Sequence, residues 1–147
     1  MIEYIIVLFL IILLITKIVN VLKKYKKSFK NTFNFEAKVV SSHKLRKKGL
    51  MNRKNKLKTN QGMLFEFDEP QAISLWMKNT YIPLDAIYFN EDGKILELNQ
   101  NLKPHSTKSI ISKNPCKYVL EVNRNTIKNK KINIGDYIKI KKINKLK

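Results

Sequence analysis

The sequence predicts a mainly β fold, a small β-sandwich or barrel with one or two short helices, preceded by an N-terminal transmembrane helix. Three observations predict it. Residues 4–15 are uninterrupted apolar. From residue 35 onward, short apolar or alternating runs recur between clusters of turn-forming residues. Helical periodicity in that stretch is confined to brief segments. Alternation at period two marks a strand with one buried face, and many short strands with few helices form sandwiches or barrels. Once the apolar N-terminus is set aside, the 147-residue chain leaves one small domain.

The apolar run continues through Ile18, Val19, Val21 and Leu22, past Thr16 and Lys17. At about 1.5 Å per residue, some 20 residues cross the roughly 30 Å hydrocarbon core, so residues 2–22 are long enough to hold the chain in a membrane. Lys17 lies near one end and can extend to the headgroups. A cleaved secretory signal has a positive n-region and a small-x-small cleavage site. Here residues 1–4 contain Glu3 and no lysine, and residues 15–35 contain neither alanine nor glycine. The expected organisation is an uncleaved single-pass anchor at 1–22, a basic linker at 23–34 and a β domain at 35–147. Lys23, Lys24, Lys26, Lys27 and Lys30 in the linker can rest on anionic headgroups at about 1 kcal/mol each. Taken alone, their position would keep the domain in the cytoplasm, but lysine is abundant throughout the chain.

Lys+Arg 30 against Asp+Glu 11 gives a formal net charge of +19. The excess is nearly all lysine and is spread from Lys17 to Lys147. A nucleic-acid reader concentrates arginine and interleaves aromatics on one face, so nucleic acid is not the expected partner. The single cysteine, Cys116, excludes an intrachain disulfide, a zinc ribbon and a Cys-x-x-Cys motif. With His43 and His105 unrelated in spacing, no metal site and no cofactor are expected. No histidine is near Cys116 in sequence, which points to an inert or buried thiol.

In chain order, Phe35 to Val40 reads as a strand. Ser41 or Ser42 can cap a short helix carrying Leu45, Leu50 and Met51 and ending at or just after Gly49. Residues 52–61 form a polar loop, Gly62 to Phe67 a second strand, and Asp68-Glu69-Pro70 a turn. Ile73 to Met77 is a short strand that breaks into Lys78-Asn79-Thr80 and turns at Pro83. Asn90-Glu91-Asp92-Gly93 joins strands Asp85 to Phe89 and Lys94 to Leu98 as a hairpin, because Asp-Gly supplies positive φ. A long loop at 99–116, a strand at Lys117 to Val122, a short helix within 123–131, a turn at Gly135-Asp136 and a strand from Tyr137 to Ile140 complete the chain.

These residues resemble the family named domain of unknown function 192. The resemblance rests on Arg46-x-x-Gly49-Leu50-Met51-x-Arg53, Gly62-Met63-Leu64-Phe65, Trp76-Met77-Lys78-Asn79-Thr80-x-Ile82-Pro83-Leu84-Asp85, Val119-Leu120-Glu121 and Gly135-Asp136, over about residues 36–142. It implies a compact, jelly-roll-like β domain, commonly exported behind a signal or anchor, and implies no reaction. That export habit favours a periplasmic domain over a cytoplasmic one. Two departures stand out: Asn123-Arg124-Asn125 replaces the usual Asn-Ala-Gly, and Leu75 replaces an aromatic. Asparagine tolerates positive φ, so the turn can survive.

The stretch from Ile73 to Asp85 concentrates polar groups between two apolar segments. Lys78, Asn79, Thr80 and Asp85, joined by Arg46, Arg53 and Glu121, can form a pocket with Trp76 as its wall. The cations would hold a carboxylate, phosphate or sugar acid, and Asp85 or Glu121 would accept a proton. Alternatively, Asn79 and Thr80 bond their own backbone and Asp85 fixes the loop by pairing with an arginine. Trp76, Met77, Met63, Phe65 and Met51 are the residue types of a core as much as of a ligand face. No Gly-x-Ser-x-Gly elbow or phosphate-cradling glycine loop occurs. The expected function is a non-enzymatic binding or accessory module at the cell envelope, for a small polar or anionic ligand or a partner protein. The alternatives are a hydrolase or lyase on a polar envelope substrate and a structural tether in a membrane complex.

Overall fold

The computed structural model describes residues 1–28 and 30–146. It divides into two compact units, Met1–Lys30 and Asn31–Lys147. The first contains one helix, α1 (Ile2–Ser28). Residues Ile2–Leu22 of α1 have a mean hydropathy of 3.0, and their apolar side chains are exposed. The helix is long and apolar enough to cross a membrane, a property that an anchor shares with a secretion signal. It continues to Ser28, because the lysine-rich segment beyond Leu22 holds no glycine or proline to stop it. The expected linker therefore gives its first half to α1 and its last residues to the first strand; Phe29 lies outside the described residues.

The second unit runs β1 (Thr32–Val40), α2 (His43–Lys48), β2 (Gln61–Gln71), β3 (Ser74–Leu75), β4 (Leu84–Phe89), β5 (Ile95–Leu102), β6 (Ile110–Ile111), β7 (Cys116–Asn123), α3 (Thr126–Lys130) and β8 (Tyr137–Lys142). Six strands form one sheet in the order β5-β4-β7-β2-β1-β8, and β3 pairs with β6 in a second, two-stranded sheet. β1 is parallel to both β2 and β8, whereas β2–β7, β7–β4 and β4–β5 are antiparallel. The fold is mainly β with few short helices, as the sequence predicts.

Three segments differ from the sequence reading. Asp68-Glu69-Pro70 lies within β2, where the register with β7 shifts between Glu66 and Gln71, so these residues bend a strand instead of ending one. β5 extends to Leu102, and Ile110–Ile111 forms β6, so the expected loop at 99–116 contributes to both sheets. The strand expected at 73–77 shrinks to Ser74–Leu75, because the Met77 N–H already leaves the ladder to donate to the Ser106 carbonyl at 3.0 Å.

The sheet curls until its edge strands meet. Lys94 bridges Tyr137, the Ile138 N–H donates to the Gly93 carbonyl at 2.8 Å, and the Ile95 N–H to the Asp136 carbonyl at 2.8 Å. The Asp136 carboxylate accepts from the Asn31 N–H at 3.0 Å and the Asn133 N–H at 2.8 Å, tying the start of β1 to this closure. Alternation then sorts side chains between two cores. Phe35, Leu64, Ile87, Ile95, Leu120 and Ile138 gather in one, with contributions from both edge strands. Met63, Phe65, Ala86, Tyr88 and Val119 face the other, which the crossover from β1 through α2 to the parallel strand β2, together with later loops, covers through Leu50, Leu57, Leu75, Met77 and Ile82.

Gly93 makes the closure possible. Its φ is +82°, and a Cβ there would sit 2.5 Å from the Ile138 carbonyl oxygen. Gly93→Ala is expected to cost about 2 kcal/mol or more from backbone strain and displacement of β8. Urea denaturation of the full-length protein in mild detergent measures this, and a variant within about 0.5 kcal/mol of wild type, as for an ordinary surface change, would remove Gly93 from this role.

Candidate functional site

On the face of the sheet covered by the crossover lies a cavity of about 420 Å³. α2 and the turn after it supply His43, Arg46, Lys47, Lys48, Gly49, Leu50 and Met51; β2 supplies Phe65, Phe67 and Gln71. Ser74, Leu75, Trp76 and Thr80 come from β3 and the segment after it, and Glu121 from β7. Basic groups and an aromatic wall thus surround a buried carboxyl.

The α2 end is fixed locally. Ser42 Oγ accepts from the Leu45 N–H at 3.4 Å, and Gly49, with φ +45°, closes the helix by donating to the Leu45 carbonyl at 2.9 Å. Arg46 is held by the backbone: its Nη1 donates to the carbonyls of Ser41 and, at 2.9 Å, Glu66, while its guanidinium lies 4.5 Å from the Phe67 ring centroid. An arginine stacked on an aromatic ring and bonded to two carbonyls gives up little further freedom when it meets an anion.

The opposite wall is held by backbone bonds from two loops. The Asn52 N–H donates to the Asn79 carbonyl at 2.8 Å and the His105 N–H to the Thr80 carbonyl at 3.1 Å. Asn79 takes a φ of +53°, and Thr80 Oγ1 donates to the Lys78 carbonyl at 3.3 Å. Trp76, the single tryptophan of the chain, is 39 % exposed, and Lys78 Nζ lies 5.6 Å from its ring centroid.

Glu121 is the chemically distinctive group. It pairs in register with Met63 of β2 and Ala86 of β4, is 4 % exposed, and receives no hydrogen bond or ion pair among the described residues. Burial alone pushes its pKa up to about 8. Tyr88 on the same face is pushed up to about 12, mainly by burial, although its hydroxyl accepts from Asn99 Nδ2 at 3.3 Å. Cys116 is fully buried, and burial pushes its thiol up to about 11, so it is a poor nucleophile at neutral pH.

Of the residues singled out in the sequence, Arg46, Trp76, Thr80 and Glu121 line this cavity, and Lys78 lies over the Trp76 ring. The others are elsewhere. Asp85 is fully buried and pairs with Val122, one residue out of phase with Glu121, so the two carboxyls lie on opposite faces of the sheet. Its oxygens accept from the Asn101 N–H at 3.0 Å and the Ile127 N–H at 3.1 Å; it holds the start of α3 and, among the described residues, pairs with no arginine. Arg53 donates through Nε to the Asn55 carbonyl at 2.8 Å, within its own loop. Asn79 contributes its backbone carbonyl. The sequence reading missed His43, Lys47 and Lys48 as rim residues, and Phe67, Gln71 and Ser74. The spacing of Lys47 and Lys48 with Arg46 was visible, but nothing in it says which lysines border a cavity. Among the described residues, no group of three or more His, Cys, Asp or Glu is arranged to hold a metal.

The chain matches the model of the family DUF192, Uncharacterized ACR, over residues 25–140. It belongs to the DUF192 family. The crystal structure of a candidate transcription regulator from Sinorhizobium meliloti 1021 is similar, at 39% identity and a TM-score of 0.67, covering 69% of this chain and 78% of that one. A protein of unknown function from Novosphingobium aromaticivorans DSM 12444 is 30% identical with a TM-score of 0.67, covering 70% of this chain and 73% of that one. No curated protein matches the chain. In this DUF192 chain the departure at 123–125 keeps its turn: Asn125 adopts φ +67°, the conformation glycine usually supplies.

Glu121 makes stability depend on pH. Burial holds its folded pKa at about 8, above the ordinary glutamate value of 4.5, so between these values the folded state holds a proton that the unfolded chain has lost. Stability therefore falls as pH rises through that window, by an amount on the order of a few kcal/mol. Glu121→Gln removes this contribution. Subtracting the denaturation free energy of the variant from that of wild type should give a difference that becomes more unfavourable to wild type from pH 5 to pH 8, and a difference independent of pH would contradict it.

Proposed function

We propose that this DUF192 protein is a membrane-anchored binding module whose ligand, a small polar or anionic molecule, enters the cavity between α2 and the Trp76–Thr80 segment. The observation that carries the reading is Glu121, a carboxyl 4 % exposed that lines a cavity bordered by Arg46, Lys47 and Lys48 and takes no hydrogen bond from the described residues. Its oxygens open onto the cavity and not into closed packing, so a ligand there can supply the hydrogen bond that the protein does not. Trp76 and Phe67 offer flat apolar surface for the body of the molecule.

Trp76 also makes the test direct, since all tryptophan emission comes from the site. Carboxylates, phosphates and sugars are titrated into the full-length protein in mild detergent, with thermal melting as a second readout. One class is expected to change the emission and, at about a hundred times its Kd, to add about 2.7 kcal/mol, a rise of several degrees. Arg46→Gln and Glu121→Gln should weaken binding about tenfold or more, while Asp85→Asn melts lower and binds as wild type does. If no class binds, the reading fails in favour of a structural tether.

The raised pKa of Glu121 also supports a second reading, a hydrolase or lyase with Glu121 as general acid or base. Conversion of a bound compound, followed by mass spectrometry and lost in Glu121→Gln with binding retained, distinguishes it. We assign Asp85 no part in that chemistry, because each of its oxygens accepts a backbone N–H.

We read α1 as an uncleaved anchor and the β unit as exported. The absence of alanine and glycine from residues 15–35 supports the first; the second rests on the export habit that the family resemblance implies. A C-terminal reporter active only outside the cytoplasm should give signal, and signal from a cytoplasm-only reporter reverses the orientation.

A further inference from the structure

Resting on the binding reading above, we propose that the cavity is built for small zwitterions: an ammonium group of the ligand reaches Glu121, and a carboxylate or phosphate of the same ligand stays with Arg46, Lys47 and Lys48. The two halves of the site ask for opposite charges. The Glu121 carboxyl, 4 % exposed and without a hydrogen bond or ion pair among the described residues, opens onto the cavity and can take a donor from a ligand. The α2 side presents three cations.

A simple anion satisfies α2 but can take only one hydrogen bond from Glu121, whose carboxyl holds its proton near pH 7, and supplies it no donor in return. A simple cation satisfies Glu121 but must pass three positive groups on a chain of net charge +19. A hydroxyl gives Glu121 a neutral hydrogen bond, whereas an ammonium gives a charge-assisted one of roughly twice the strength. A molecule with both charges meets both demands, and its carbon body has Phe65, Leu75 and Trp76 to pack against.

The titratable groups facing Glu121 leave it open to this exchange. Tyr88 of β4 is itself kept neutral by burial, Met63 of β2 is apolar, and His43, Arg46, Lys47 and Lys48 share the cavity from α2. No cation among the described residues is paired with the carboxyl. With the carboxyl pushed up to about 8 by burial, a ligand ammonium keeps its own proton, and the proton on Glu121 leaves to solvent as the ion pair forms. Zwitterion binding near pH 7 therefore releases a proton.

The test uses the full-length protein in mild detergent and isothermal calorimetry. The probes are the standard L-amino acids and phosphoethanolamine, each hit being compared with the analogue in which hydroxyl replaces ammonium. The expected result is that the amino compound binds about tenfold tighter than its hydroxy twin. Repeating the titration in buffers of different ionisation heat should show proton release, and Glu121→Gln should abolish both effects. If that variant does not fold, proton release by wild type decides. Equal affinity of the twins, binding without proton release, or binding of plain carboxylates, phosphates or sugars alone overturns the zwitterion inference and leaves the binding module standing. If neither these probes nor the earlier classes bind, both fall.

Discussion

β7 is hydrogen-bonded along its length to β2 on one side and β4 on the other, and the arrangement of the domain depends on that double pairing. Both faces of an interior strand are covered, so its alternation decides the contents of two cores. Leu120 and Val122 go to one, while Val119 and Glu121 go to the other. The approach of β2 to β7 is tight. A Cβ on Gly62 would lie 2.6 Å from Leu120 Cδ1 and 2.8 Å from the Glu121 carbonyl oxygen. Glycine at 62 therefore lets the neighbouring strand close against the backbone that carries Glu121, and no solvent-exposed sheet edge lies beside that residue.

The buried carboxyls follow different rules. Asp85 and Asp136 each accept two backbone N–H groups, and Glu97 accepts from the Lys113 N–H at 2.7 Å. Such bonds replace water at a buried carboxyl oxygen, and these three side chains fasten the ends of β1, β6 and α3. Glu121 accepts no such bond among the described residues, and its oxygens open onto the cavity instead. A carboxyl on this otherwise apolar face departs from the pattern that the other three obey.

The cavity walls are ordered without help from a ligand. Arg46 is stacked and carbonyl-bonded, and the Trp76–Thr80 segment is fastened from the loops at Asn52, His105 and Ser106. Little side-chain or backbone freedom remains to be lost on binding, which favours affinity in a small site. The basic residues of α2 differ from the many other lysines of the chain in their position beside this cavity and not in type.

The sequence by itself determined the class of fold, the apolar N-terminal helix and the hairpin at Asn90-Glu91-Asp92-Gly93, because period-two alternation, apolar length and positive-φ residues are local properties. It also singled out Arg46, Trp76, Thr80 and Glu121, through motif content. It did not separate Glu121 from Asp85. Both are acidic residues in or next to apolar strands, and only the register of β4 against β7 puts them on opposite faces, since a shift of one residue reverses every side chain. Nor did it show that Asp68-Glu69-Pro70 bends within β2, or that Ile110–Ile111 pairs with β3. Those outcomes rest on long-range hydrogen bonding, which no local pattern encodes. The same holds for the bond that closes the sheet between Gly93 and Ile138, where two distant segments meet only after the strands have curled.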